Sequence, residues 1–209
     1  LVKVKIKEIS EIVKNKLILT DVGSTKVDIC NYAKKVLPKN ITFIGGHPMA
    51  GNEFSGFSHA DEKLFKDCIW VLIKENKNIE ALKFLEKVIK EIGAKVVVSG
   101  SHAHDKAVAI ISHLPILVSS ALCKLLMDLK DEKIKKLGFI LAASGFRDTT
   151  RVASGNPNLS RDLLTVNQKE IKKLLPLYLN HLKIINFSEP KLLKELEKIS
   201  LFRQKMYSN

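Results

Sequence analysis

The stretch TFIGGHPMAGNEFSG, residues 42–56, places a histidine directly after an apolar run and two glycines. Pro48 fixes the chain beyond His47, so the imidazole stands at the exit of a buried strand, a position suited to accepting a proton. Gly45 and Gly46 allow backbone to approach a neighbour closely. A histidine after a strand can also serve structure alone, and this segment leaves both roles open. Asn52 and Glu53 follow in the same polar, glycine-spaced loop. A second stretch, TDVGSTK at 20–26, ends an apolar run on Gly23 and Ser24 before a helical pattern. Ligands of open α/β sheets bind beyond the carboxyl ends of strands, so both residues are candidates to touch a cofactor; Ser24 as a plain helix cap is the structural alternative. In ISHLPIL, His113 sits on an apolar helix beside a proline, either as a hydrogen-bonded core histidine or as a site group. The fourth stretch, LAASGFRDTTRVASGNPNLSRD at 141–162, gathers Arg147, Asp148, Arg151 and Arg161. If that turn is helical, Arg147 and Arg151 share a face from which guanidinium groups can clamp carboxylates; an Arg–Asp network that pins the loop is the alternative.

These groups need a frame to position them. KLILTDVG (16–23), NITFIGG (40–46), CIWVLI (68–73) and AKVVVS (94–99) read as buried strands, several of them continuous apolar runs as parallel sheets require. Between them, residues 24–37 put Val27, Cys30, Ala33 and Leu37 on one helical face, and residues 78–92 do the same with Ile79, Leu82, Leu85, Ile89 and Ile92. The alternation predicts a parallel α/β layer with right-handed crossovers. After about residue 100 the strands stop. Residues 104–126 form a helical stretch too apolar around its circumference to face water, with Pro115 as a kink, so burial on several sides is expected. A helix over 167–185 and a last one opened by Ser188 and Pro190 complete a helical second half, whose apolar excess predicts pairing of two subunits. The division expected is 1–100 for the sheet domain and 101–209 for the helical one.

Composition narrows the partners. The formal net charge of +13 raises nucleic acid, but the lysines spread over helix faces and the aromatics show no base-stacking pattern; a solvated surface, or attraction of an anionic small substrate, fits better. Cys30, Cys68 and Cys123 lack the spacing of a disulfide framework or a zinc site, so no metal is expected and a reducing, cytoplasmic setting is. No apolar run is read as approaching the length of a membrane span.

Taken in order, DVGSTK, GGHPMAGNEFSG, SHLP and GFRDTTRVASGNPNLSRD resemble the prephenate dehydrogenase family, including its arogenate-using members, over essentially the whole chain. The resemblance implies a Rossmann-like nucleotide-binding domain followed by an all-helical dimerisation domain, a homodimer, NAD (or NADP) as cofactor, and prephenate or arogenate as substrate in tyrosine biosynthesis. It implies His47 as acceptor of the substrate hydroxyl, Ser24 as its partner near the nicotinamide ribose, and Arg151 on the ring carboxylate. Arg147 and His113 are implied in the substrate pocket, with Asn52 and Glu53 in the loop over it. Two features depart from the family pattern. No G-x-G-x-x-G occurs in the 209 residues, VSGSHAH at 98–104 lacking the spacing, so the pyrophosphate cradle is not among them and these residues alone are expected to hold NAD poorly and to be inactive. Ile116 stands where many relatives carry another histidine after SHLP.

Overall fold

A computed structural model describes residues 1–51 and 60–208. The expectations for Asn52 and Glu53 lie outside the described residues. The chain forms two units, Leu1–Ile171 and Lys172–Asn209.

The four apolar runs form strands: β1 (Leu17–Thr20), β2 (Ile41–Ile44), β4 (Ile69–Ile73) and β5 (Lys95–Ser99). β1 pairs parallel with β2, Leu17 opposite Ile41, and β4 pairs parallel with β5, Trp70 opposite Val96. Between β2 and β4 runs a short strand, β3 (Gly46–Pro48), antiparallel to β4 with His47 opposite Val71. This corrects the reading of Gly46 and His47 as strand exit. His47 is held on the edge strand of a mixed sheet, in the order β3-β4-β5, and Pro48, which has no N–H to donate, is tolerated there because β3 is an edge. Ile73 N–H donates to Gly45 O at 2.9 Å, tying β4 to the end of β2.

β4 shows why its sequence is a continuous apolar run. Trp70 and Leu72 join Leu82, Leu85 and Ile89 of α3 (Ile79–Glu91) in one cluster, whereas Val71 and Ile73 join Cys30 of α2 (Val27–Val36) in another. Alternate residues of one strand thus bury opposite faces, each against a helix. Ile79 and Ile92, expected on the buried face of α3, are exposed at its ends; Ala81 takes part in the core instead. On α2, Ile29 and Ala33 pack with Ile6 of α1 (Val2–Ile12).

The second half is helical: α4 (Ser101–Val108), a π-helical turn (Ala109–His113), α5 (Leu114–Met127), α6 (Glu132–Leu141), α7 (Ser144–Thr150), a 3-10 turn (Arg151–Ser154) and α8 (Pro157–Val166). α9 (Gln168–His181) continues into a 3-10 turn (Leu182–Asn186), and α10 (Glu189–Met206) follows, with Ser188 at its N-cap position but no side-chain cap bond. The break expected at Pro115 is the π turn ahead of it. Pro115 cannot donate to the carbonyl one turn back, and Leu114 N–H bonds Ala109 O instead. The helical run stays continuous, which corrects the sequence reading: Ser101–Met127 contains an 18-residue window of mean hydropathy 1.8 and is long and apolar enough to cross a membrane. Its expected burial on several sides is not met within the chain. Ile110, Ile111, Leu125 and Met127 are all more than half exposed.

Candidate active site

The carboxyl end of β1 and strand β3 are joined by one carboxylate. Asp21 accepts from Gly23 N–H at 2.8 Å and from Gly46 N–H at 3.1 Å, and it pairs with the ammonium of Lys26. Lys26 is fully buried and donates also to Gly46 O at 2.6 Å, so Gly46 is held by both its amide and its carbonyl. A Cβ at Gly46 would stand 2.5 Å from Asp21 O and 3.0 Å from Trp70 Nε1. The close approach that the double glycine permits is therefore to the protein itself. Burial pulls the Lys26 ammonium below its ordinary value, against the opposing pull of Asp21.

His47, next along β3, is buried and meets a second histidine: its Nδ1 lies 2.8 Å from His104 Nε2. The other nitrogen of His104, Nδ1, lies 2.8 Å from Asp105 Oδ1. Asp105 is itself fixed at the start of α2, accepting from Lys26 N–H at 2.8 Å and Val27 N–H at 2.9 Å. Burial alone would push the Asp105 carboxyl up, but the bonds from His104 and the two amides outweigh it and hold it below the usual value. Asn167 extends the network, its side-chain amide donating to Asp105 O at 2.8 Å and to His113 Nδ1 at 3.0 Å. His113 sits at the end of the π turn, almost wholly enclosed. It is a bonded core histidine, as one of its sequence readings expects, and the bond from Asn167 connects it to the His47 network.

The expected residues separate into two places. His47 and His113 come together through His104, Asp105 and Asn167, and Asp21 ties them to the Gly23–Ser24 loop. Ser24 is not the cap of α2; Asp105, from another element, takes that task. The Ser24 hydroxyl is half-buried and bonds no described residue. Gly23 has an internal reason to be glycine, because a Cβ there would stand 2.9 Å from Asp21 Oδ2, which the Gly23 amide and the Lys26 ammonium hold in place. Arg147, on α7, and Arg151, on the following 3-10 turn, line a cavity of about 570 Å³ with Ser120, Cys123 and Ser154. His47 does not line it. Arg147 pairs with Asp148 at 3.0 Å, and Arg161 with Asp162 at 2.7 Å, so the Arg–Asp alternative describes part of this segment.

The sequence reading missed His104, Asp105 and Lys26. A signal for the first two was present: Ser101, His104, Asp105 and Val108 are spaced as one helical face, and all four are buried.

Burial, followed by the positive fields of His104, Lys26 and His113, pushes His47 down to about 4. His47 is therefore neutral at pH 7. Because its folded value lies below its unfolded one, the unfolded chain takes up protons first, and stability falls as pH drops from about 6.5 to about 4. The expected loss is about 3 kcal/mol for His47, and His113, also pulled down by burial, adds to it in the same sense. Melting temperature followed from pH 7 to pH 4.5 checks this. His47→Asn should flatten the slope, and an unchanged slope rules out His47 as its source.

Matches to known proteins fit this arrangement. Residues 1–98 match the family model "Prephenate dehydrogenase, nucleotide-binding domain", and residues 100–196 match "Prephenate dehydrogenase, dimerization domain". The chain belongs to the prephenate dehydrogenase family. It is 38% identical over 160 residues to the prephenate dehydrogenase of Bacillus subtilis, covering 76% of this chain and 43% of that protein. Among solved structures, the arogenate dehydrogenase of Synechocystis superposes with a TM-score of 0.85 at 38% identity, covering 97% of this chain and 74% of that one. The prephenate dehydrogenase of A. aeolicus, in complex with hydroxyphenyl propionate and NAD+, superposes with a TM-score of 0.87 at 28% identity, covering 98% and 72%. The chain spans less than half the length of its Bacillus relative. Its architecture is that of the family, a Rossmann-like nucleotide-binding domain followed by a helical dimerisation domain.

Proposed function

We propose that the protein to which these residues belong oxidatively decarboxylates prephenate or arogenate, with NAD as hydride acceptor, in tyrosine biosynthesis. The observation that carries this reading is His47: a neutral, buried imidazole with Nδ1 committed to His104 and Nε2 bonded to no described residue, on a strand that Asp21 ties to the carboxyl end of β1. The residues present fit the nicotinamide end of the cofactor, where the Ser24 hydroxyl and the Gly23–Ser24 backbone would hold it; the 209 residues contain no glycine-rich fingerprint for the pyrophosphate. Bound there, NAD would supply the acceptor for the hydride of C4 of the cyclohexadienol ring.

His47 has the complementary task. As C4 loses hydride, its hydroxyl becomes the conjugate acid of a ketone, acidic enough for a weak base to accept its proton. His47 takes that proton at Nε2 and returns it to the same oxygen once the ring carboxylate has left as carbon dioxide and the aromatised ring is a phenolate, which becomes the phenol. Atoms and charge balance without a further reagent. Arg151 is assigned the ring carboxylate and Arg147 the rim of the substrate pocket from the family motif alone, because the cavity that both arginines line does not include His47; His113, Asn52 and Glu53 keep the pocket roles that this motif implies.

Assembly belongs to the same reading. Exposed apolar residues on α5 and α6, among them Leu125, Phe139, Ile140 and Leu141, suit a homodimer interface. Small anionic substrates, rather than nucleic acid or a membrane, are the proposed partners, in the cytoplasm. The test is turnover by the complete protein of prephenate and of arogenate, read as NADH and phenolic product. Arg151→Ala should chiefly raise KM, by a factor equivalent to about 2 to 4 kcal/mol for a lost charge-assisted pair, with kcat less affected. Absence of turnover of either substrate overturns the reading, and an unchanged KM overturns the role of Arg151.

A further inference from the structure

His104 and Asp105 stand in none of the motifs that carry the family resemblance, yet both are buried beside His47. The hydrogen bonds among them fix where each proton resides. Asp105 Oδ1 already accepts from Lys26 N–H and Oδ2 from Val27 N–H, so the carboxylate is locked in place at the start of α2 and can only accept. The ring proton of His104 is therefore on Nδ1, 2.8 Å from Asp105 Oδ1. With that proton placed, His104 Nε2 is an acceptor, and the nitrogen 2.8 Å from it, His47 Nδ1, must be the donor. His47 then carries its single proton on Nδ1, and the lone pair is left on Nε2.

We propose that His104 and Asp105 are positioning residues that hold His47 in the tautomer whose Nε2 is unprotonated, so that this atom can receive the substrate's hydroxyl proton. The proposal rests on the reading of His47 as hydroxyl acceptor given above. An imidazole without such a partner can place its proton on either nitrogen, and the form protonated on Nε2 would present a donor to the hydroxyl where an acceptor is needed. The lock also orients the ring: the two rings meet edge to face, at 76° with centroids 5.0 Å apart. When His47 gains a proton at Nε2, its Nδ1–H bond to His104 becomes charge-assisted, and the Asp105 carboxylate lies one ring beyond. Lys26 and His113, the other titratable groups facing His47, oppose its protonation, which leaves Asp105 as the group that favours it.

Nitrogen-15 NMR of the histidine rings in the protein at pH 7, without substrate, reads the tautomer directly. The expected result is Nδ1–H on His47 in the wild type. His104→Leu, which removes the acceptor, should shift His47 toward Nε2–H and lower kcat of the complete enzyme by roughly 10- to 100-fold, with KM within about two-fold. His104→Gln, whose side-chain carbonyl can take the same bond, should restore Nδ1–H and most of kcat. Wild-type His47 bearing its proton on Nε2 overturns the proposal even if neither variant folds, and so does a folded His104→Leu that keeps both Nδ1–H and kcat. A protein that shows the Nδ1–H tautomer but turns over neither prephenate nor arogenate supports the positioning geometry and overturns only the functional reading beneath it.

Discussion

His47→Asn in the complete enzyme should lower kcat by about 10²- to 10⁴-fold while leaving KM within a few-fold of wild type. The size follows from what the side chain does at each stage. In the ground state His47 contributes one hydrogen bond to a neutral hydroxyl, and an asparagine carbonyl can supply much of that. As hydride leaves, the hydroxyl becomes a strong acid and the demand changes from accepting a hydrogen bond to accepting a proton, which an amide cannot meet. The difference appears only on the way to the transition state, so it falls on kcat. The low value of His47, about 4, sets the pH dependence: the lone pair is available throughout the neutral range, and the acid limb of the kcat profile falls only as pH drops through about 4. Steady-state assays across pH with both candidate substrates check both points. Near-parental kcat in His47→Asn would make the histidine structural and remove the residue on which the proposed mechanism depends.

Much of the frame was legible because its physical causes are local. Strand β4 announces itself as Ile-Trp-Val-Leu-Ile because both of its faces are buried, by α2 and α3, and no polar residue could be accommodated there. Strand β3 was not legible. Three residues, Gly-His-Pro, carry neither alternation nor β-branching, and their strand character comes from pairing with β4, more than 20 positions later. The site divides in the same way. His47 and Ser24 could be singled out because a polar residue after an apolar run has no local reason to be there. Lys26 was passed over for the opposite reason, since a lysine at a helix start ordinarily faces water. Its burial depends on Asp21 upstream and on the Gly46 carbonyl brought in by a different strand. The arginine segment was half legible: Arg147 and Arg151 line one cavity, but the helical turn on which their shared face depends ends at Thr150, and Arg151 opens a 3-10 turn.

The buried pair of Lys26 and Asp21 is where stability should respond most. Asp21→Ala should cost about 3 to 5 kcal/mol, the range for leaving an uncompensated charge in the interior. Lys26 would keep one acceptor, the Gly46 carbonyl, while the amides of Gly23 and Gly46 would lose theirs. Lys26→Met should cost less, because the Asp21 carboxylate left behind still accepts from those two amides and the methionine chain fills the space of the lysine stem. The asymmetry is therefore part of the expectation, and urea unfolding of both variants, compared at constant m-value, measures it. The pH dependence gives a second reading. Burial already holds the Lys26 ammonium below its ordinary 10.5, and removing Asp21, the main group that raises it, pulls it lower still. At a pH above the unfolded value the lysine is neutral in both states and no charge is buried. As pH falls below that value the unfolded chain takes up the proton more readily than the folded one, and stability is lost. The deficit of Asp21→Ala should therefore be large at pH 7 and shrink toward pH 10, a trend that a cavity or a lost turn would not produce. A deficit below about 1 kcal/mol at pH 7, or one independent of pH, would mean that the ammonium finds another partner or reaches water, and the strand carrying His47 would then be held by its amide bonds alone.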